Sequence, residues 1–600
     1  MLGALAACAG LPAVATAAGP APPRPISLDG TWEVTDAPTD ARVVGAPGDW
    51  RPTTVPGVFS ADADPPLSEG TVKQYRLRFT APPTRSFDWA VRFEQVRRVA
   101  AVHLNGRYVG GSIDPYTPFE VPAEGLVAGA TNELVVTVDN RKDKRVSEGW
   151  WNWGGIVRPV TLVPRGKVTL EDLGLLSDVR CAGAARRCRA SLLVDGILSK
   201  LPRARRKPAT VLTVRLRAPS GRVTRGRFPL AGSAFGRRRV AESMPVPRPR
   251  LWSPERPALY RATVTLSHRG RTQQVERLRV GLRSVEVKRG LLYLNNRRIR
   301  LRGASIHEDI PGRGAAITTG DMDTTVRELQ EVGANVTRAH YVLSERMLQR
   351  LDRAGIMVWS QAPVWQRDSR RSNMLFTARE RRNALAQVSD TVRAARNHPS
   401  VITHSVSNEL AFQPDRKSTT RTFLRAASAE ARDLDPTLPI SLDIKTRVGF
   451  GEQFTFRAFD MIGINQYFGW YNHVPGIDLL GPFLREMRDH YPGHALVMTE
   501  FGAEGRPDMT GAPPEDKGGY AFQTRHVDET LDVVDGLPYM SGAIHWTLRE
   551  FEIFPGWRGG ALPGPGRNTR HHKGVLTYEG QRKPAWDVLR DHFARTPLYP

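Results

Sequence analysis

Two acidic residues stand where apolar runs stop. In VITHSVSNEL (401–410) the run from Val401 to Val406 gives way to Ser407, Asn408 and Glu409, and ALVMTE (495–500) ends on Glu500. Strands of this composition are buried on both faces, so each carboxylate sits at the rim of a core. Other apolar runs end alike: IRLRGASI in His307-Glu308-Asp309, NVTRAHY in Arg338, His340 and Tyr341. MIGINQY ends in Asn465 and Tyr467, with Trp470-Tyr471 following, and GAIHWT in His545 and Trp546, with Glu550 following. One polar strand end is ordinary, whereas carboxylates, imidazoles and aromatic rings at so many of them imply a shared pocket. Two carboxylates among Trp and Tyr suit a sugar, since aromatic faces cover the C–H face of a pyranose. One carboxylate can attack the anomeric carbon while the other protonates the leaving oxygen and then activates water. Retention of configuration needs a separation of about 5–5.5 Å, and inversion roughly 6.5–9.5 Å.

Bringing these ends together calls for a closed parallel sheet. After residue 284 short apolar strands alternate with amphipathic helices, the signature of βα units. Eight strands (IRLRGASI, NVTRAHY, IMVWSQ, VITHSVS, PISLDI, MIGINQY, ALVMTE and GAIHWT) predict a (β/α)8 TIM barrel over 284–600, with chemistry at the C-terminal strand ends. One helix should run from a Ser344 cap through ERMLQRLDRA and stop at Gly355. Upstream, residues 27–165 hold short strands separated by turns, including an Asn105-Gly106 hairpin signal, and predict a jelly-roll β-sandwich. Residues 166–283 repeat that style and predict an immunoglobulin-like β-sandwich.

The balance of 86 Lys+Arg against 61 Asp+Glu gives a net charge of +25, which directs attention to nucleic acids or acidic polysaccharides. The arginines are scattered in short clusters, such as Arg237 to Arg239, without a basic-plus-aromatic module. A solvated basic surface and no nucleic-acid partner are therefore expected. Residues 1–26 begin small and apolar, carry an Ala15-Thr16-Ala17 cleavage pattern and turn Pro-rich. They read as a signal peptide with a linker and imply a secreted, periplasmic or cell-surface protein. Leu5-Ala6-Ala7-Cys8 also resembles a lipoprotein box. Beyond this segment no apolar run approaches the roughly 20 residues of a membrane span. Cys181 and Cys188, the two cysteines left without Cys8, are expected to form a disulfide. His571-His572 has no carboxylate at ligand spacing, so neither a metal nor a cofactor is expected. A homo-oligomer stays open.

LDGTW (28–32), LNGRYVG with PFEVP, and WNWGGIVRPVTL are followed in order by RGASIHEDIPGRG, GANVTRAHY, RNHPSVITHSVSNE, INQYFGWY, MTEFGAE and HHKGV. With these motifs the chain resembles glycoside hydrolase family two, the family of β-galactosidases, β-glucuronidases and β-mannosidases. The resemblance implies a sugar-binding-type jelly roll and a catalytic barrel, with Glu409 as general acid/base and Glu500 as nucleophile. It places Asn408 on the sugar 2-hydroxyl, Tyr467 on Glu500, and Arg338 and His340 at the base of the pocket. Asp309 would reach remote hydroxyls, Trp546 would lie under the ring, and Asn465, Trp470 and Lys573 would also contact substrate. Gln361 departs from the Glu of many members and is expected to alter the outer pocket. β-Glucuronidases hold the uronate with an Asn-x-Lys motif, where this chain reads His571-His572-Lys573, with Asn568 and Arg570 nearby. A β-galactosidase-type exo-β-glycosidase is therefore expected, with β-glucuronidase or β-mannosidase as the alternative. A non-catalytic carbohydrate-binding protein is the reading from another class. The metal-binding His and Glu pair of large galactosidases has no match before Asn408, where Thr403, His404 and Ser405 stand.

Overall fold

The structure, a computed structural model, describes residues 21–37, 48–59, 69–83, 86–142, 148–182, 188–201, 209–233, 236–365, 374–471, 474–555 and 569–600. Most of the expected leader, with Cys8, lies outside the described residues, as does Asn568. Ile26 and Ser27 already pair with Leu162 and Thr161, so the first sandwich begins one residue before the expected boundary. A six-stranded sheet faces a four-stranded one, and Trp32, Phe93, Val102, Leu134 and Leu162 are buried in one core. Strands Val99–Leu104 and Arg107–Ser112 form the expected hairpin. Its turn places Asn105 at φ 49° and Gly106 at φ 80°, the left-handed pair that a two-residue hairpin turn requires. The second sandwich sets a three-stranded sheet against a four-stranded one around Leu192, Val214, Val264 and Leu266. At the end of its first hairpin Cys181 and Cys188 stand opposite each other, disulfide-bonded, with Cα atoms 4.1 Å apart.

Eight parallel strands close into a barrel: Leu301–Ala304, Val336–Arg338, Met357–Gln361, Val401–Asn408, Ile440–Ile444, Met461–Asn465, Ala495–Glu500 and Met540–His545, one to eight below. Every residue of strands four to seven is buried. Such strands have no wet face to alternate with, which is why they read as continuous apolar runs. Helices α1 (Thr319–Glu331), α2 (Glu345–Ala354), α3 (Ala378–Ala395), α4 (Ser418–Leu434), α5 (Leu480–His490), α6 (Tyr520–Asp535) and α7 (Ala585–Arg595) accompany it. α2 follows the predicted caps: the Ser344 side chain accepts the Met347 N–H at 3.2 Å, and Gly355 ends the helix at φ 72°.

The second sandwich grips the barrel at the foot of strand four, and the first at the rim where the site is built. Arg283, at the end of the second sandwich, donates to the carbonyls of Pro399 at 3.0 Å and Val401 at 2.8 Å, pinning the start of strand four. Arg158 of the first sandwich makes a buried ion pair with Glu308 and donates to Val342 O at 3.2 Å. Removing one partner of such a pair costs about 3–5 kcal/mol, because the other charge stays buried and unpaired. The Trp151 backbone N–H donates to Glu552 O at 2.8 Å, so the sandwich sits over the barrel mouth.

Candidate active site

Strand four ends in a reversal that its sequence does not announce. Glu409 adopts φ 51°, a left-handed conformation that costs a non-glycine residue on the order of 1–3 kcal/mol and concentrates at functional sites. Its N–H donates to Asp443 O at 2.9 Å, tying the turn to strand five. Glu409 Oε1 then accepts from Asn465 Nδ2 at 3.0 Å. Glu500 Oε1 accepts from the same nitrogen at 2.8 Å and from Arg338 Nη1 at 2.9 Å, while its Oε2 accepts the Tyr467 hydroxyl at 2.7 Å. One amide nitrogen thus touches both carboxylates. Their two oxygens lie no further apart than those two bonds laid end to end, which sets the carboxylates side by side across one nitrogen.

Beneath the carboxylates lies a buried charge network. Arg338 donates to Asn408 Oδ1 at 2.9 Å and to Asp443 Oδ2 at 3.3 Å, besides Glu500. Burial works against its charge, but Asp443 and Glu500 raise its pKa above the ordinary arginine value. Asp443, on strand five, also accepts from Gln361, Ser405 and Trp359, and burial pushes its carboxyl up against the pull of Arg338. Sequence reasoning passed over Asp443; the signal was a carboxylate inside the apolar run ISLDI. Gln361 does not alter the outer pocket as expected: it is fully buried behind His340. Its amide nitrogen is committed to the Asp443 carboxylate, so its oxygen, 2.7 Å from His340 Nδ1, must accept the Nδ1 proton. His340 Nε2, 3.7 Å from Glu500 Oε1, is then left as an acceptor. Burial, with Arg338 adding to it, holds this imidazole well below its ordinary range, so it stays neutral.

The remaining predicted residues divide into those that face the pocket and those that support it. Tyr467 is kept a phenol by burial and by Glu500, which push its pKa well up. Trp546 lies 4.5 Å from His340, ring centre to ring centre. Asn408 spends its oxygen on Arg338 and Asn465, leaving its Nδ2 for a ligand. Three expected substrate contacts are also engaged by protein partners. Asn465 is fully buried and bridges the two glutamates from behind, its oxygen taken by Thr499 at 2.8 Å. Trp470 is covered by Tyr467, Ala503 and Phe522 and so lies in the layer below the pocket. Asp309 has one oxygen on the Tyr578 hydroxyl at 3.0 Å and the other on the Glu552 N–H at 2.8 Å. Burial raises that carboxyl to about 7.

Lys573 Nζ donates to the Tyr471 hydroxyl at 2.6 Å and lies 3.9 Å from the centre of the Tyr467 ring. Burial pushes this ammonium down to about 7, with Glu504 and Glu500 opposing the shift. Its loop is anchored by Lys583, which donates to Gly505 O at 2.7 Å and His572 O at 3.0 Å, and by His572 on Glu550 at 2.9 Å. The first sandwich supplies a residue that sequence reasoning missed. Trp150 stacks on His340 at 5.6 Å and meets Trp365 edge-on at 4.7 Å. The only signal for it was the aromatic cluster WWNW. Away from the pocket, on α6 and α7, Asp528, Asp532 and His592 come within ligand distance of one another.

A closed parallel barrel that carries two carboxylates from strands four and seven around a shared amide, over a buried guanidinium, defines a glycoside hydrolase. The chain belongs to the glycosyl hydrolases family 2. Its sugar binding domain model matches residues 22–165, a second family model 211–283 and its TIM barrel domain model 285–513. A β-glucuronidase of Paenibacillus borealis is 26% identical over 552 residues, covering 84% of each chain. A β-galactosidase of Aeromonas hydrophila is 27% identical over 415 residues, which are 64% of this chain and 39% of that one. A solved β-galacturonidase of Eisenbergiella tayi, bound to galacturonate, superposes with a TM-score of 0.81 at 22% identity, over 96% of this chain and 98% of its own. Among the described residues, no helix is long and apolar enough to cross a membrane.

Proposed function

We propose that this β-glycosidase is a retaining, exo-acting enzyme that releases terminal β-uronides, with β-glucuronides as the leading class. The observation that carries the choice of sugar is Lys573, a buried ammonium beside the Tyr471 hydroxyl and within electrostatic reach of both Glu500 and Glu409. A carboxylate on the substrate would restore the charge that burial suppresses and accept from both groups. This reading departs from the expected galactoside. The missing Asn of the Asn-x-Lys motif argued for a neutral sugar, but Lys573 and Tyr471 together offer two donors without it.

The chemistry follows the asymmetry of the two carboxylates. Glu500, met by three donors, attacks the anomeric carbon as the glycosidic C–O bond breaks, and Glu409 gives its proton to the leaving oxygen. Glu409 then takes a proton from water, whose oxygen displaces Glu500 from the anomeric carbon; the products are the free sugar and the alcohol. On this reading Asn408 Nδ2 donates to the 2-hydroxyl, and His340 Nε2 accepts from another hydroxyl. A panel of p-nitrophenyl β-glucuronide, β-galacturonide, β-galactoside and β-mannoside tests the sugar, and NMR of the first-formed anomer tests retention. Uronide turnover at least about tenfold above the neutral sugars, with β-anomer first, is the expected result. The second reading, a neutral β-galactoside, is favoured by His571, whose ring stacks on Phe551 at 4.7 Å where the motif has its Asn. A preferred galactoside would overturn the uronide assignment.

A further inference from the structure

The leaving group must depart past Glu409, since that residue protonates it, and the loop that leaves strand five beside Glu409 carries two cations, Lys445 and Arg447. Two residues after Asp443, the backbone partner of Glu409, Lys445 places its ammonium 5.4 Å from the centre of the Tyr471 ring. It lies close enough to Lys573 to depress that ammonium further. Arg447 puts its guanidinium 5.3 Å and 5.4 Å from the centres of the Phe412 and Phe450 rings, which are themselves 6.2 Å apart. Phe412 lies three residues beyond Glu409. The loop is anchored where Gln466 Nε2 donates to Thr446 O and the Gly449 N–H to Glu486 at 3.1 Å. Among the described residues neither Lys445 nor Arg447 forms an ion pair or a side-chain hydrogen bond, whereas Arg338, Arg158 and Lys583 near the barrel mouth are all paired.

We propose that Lys445 and Arg447, with the Phe412 and Phe450 rings, form the subsite for the leaving group, and that this group is a sugar unit carrying a carboxylate or a sulfate. Cations on aromatic faces present charge with an apolar surface, the combination that an anionic pyranose requires. A net charge of +25 draws an acidic oligosaccharide to the protein and makes capture salt-dependent. The proposal rests on the β-glycosidase reading and deepens it; the terminal sugar is a separate question.

The test uses disaccharides that share whichever terminal sugar the panel finds cleaved and differ in the second unit: a uronate, a 6-sulfated hexose or a neutral hexose. The readout is the ratio of kcat/KM for each acidic disaccharide to that for the neutral one, measured in one enzyme at a time so that partial misfolding cancels. The full chain is expected to give a ratio of about ten or more for one of the acidic units. That ratio should fall toward one in Lys445→Gln/Arg447→Gln and at high salt, and recover in Lys445→Arg. Whichever acidic unit gives the higher ratio identifies the anion. A ratio near one in the unmodified enzyme, or an unchanged ratio in the double variant, overturns the proposal. A cleaved galactoside with an intact ratio would sink the uronide assignment and leave this subsite standing.

Discussion

The two sides of the scissile bond are built in opposite ways. Around Glu500 the donors are buried, rigid and mutually satisfied: Arg338, Asn465 and Tyr467 converge on its two oxygens, and Asp443 and Gln361 hold them from behind. Glu409 is only partly buried, and among the described residues its one side-chain bond is to Asn465, while the nearby cations Lys445 and Arg447 rest on aromatic rings instead of carboxylates. A nucleophile gains from donors already in place, because no reorganisation is needed as charge moves. An acid/base must lose and regain a proton in every cycle, and a dense set of donors would hold it in one state. Rigidity on one side and openness on the other are thus two halves of one mechanism.

The sharpest way to break this contrast is to remove each carboxylate in turn. Glu500→Gln should lower kcat by about 10⁴-fold or more on every substrate. Glu409→Ala should spare the first step for aryl glycosides with good leaving groups, and added azide should restore turnover by taking the place of the activated water. If both variants behave alike, the proposed division of labour is wrong. Arg338→Met should cost about 3–5 kcal/mol in a denaturation experiment, since it leaves Asp443 buried and unpaired. Tyr467→Phe takes a single donor from Glu500, and kcat should fall by about 10²–10³-fold with KM little moved.

How much of this could be read in the sequence follows the same divide. The carboxylates were visible because β-branched runs of buried strands stop on them, and the barrel because eight such runs alternate with helical patterns. Asp443 was hidden: its meaning depends on Arg338, 105 residues away, and a carboxylate one residue from the end of a short run reads equally as a wet strand end. Trp150 was hidden for a different reason, since nothing in the barrel's own periodicity shows that another domain will lay a ring on His340. Trp470 and Asn465 were placed in the right motif, but Phe522 and Ala503, and the two glutamates, decide which way they face. Motif spacing locates a residue on the rim; packing from other elements sets its direction.

Two smaller effects sharpen the comparison. Lys573, pushed by burial to about 7 from an ordinary lysine value of 10.5, loses its charge as pH rises through about 7. KM for a β-uronide should therefore climb above pH 7 by about tenfold per unit, while KM for a neutral glycoside stays level. The sign for stability is opposite. Between about 7 and 10.5 the unfolded chain binds the proton that the folded chain has released, so this group's contribution to stability rises with pH. Activity on uronides should fall across a window in which melting temperature does not fall on account of Lys573, and Lys573→Gln should flatten the KM profile.

The smallest expected change, Gln361→Glu, addresses the buried side alone. It sets a second carboxyl against Asp443, where two like charges cannot both be accommodated, so one of them must hold a proton. If the proton sits on the carboxyl introduced at position 361, the oxygen facing His340 Nδ1 can donate instead of accepting, and the ring's tautomer is freed. The expected outcome is a loss of less than about tenfold at the pH optimum, with an added inflection in the kcat/KM profile. Nitrogen-15 shifts of the His340 ring should change with it. An unaltered profile with an unaltered His340 signal would mean that the amide of Gln361 does not set the ring's tautomer, and that the rigidity around Glu500 ends at Asp443.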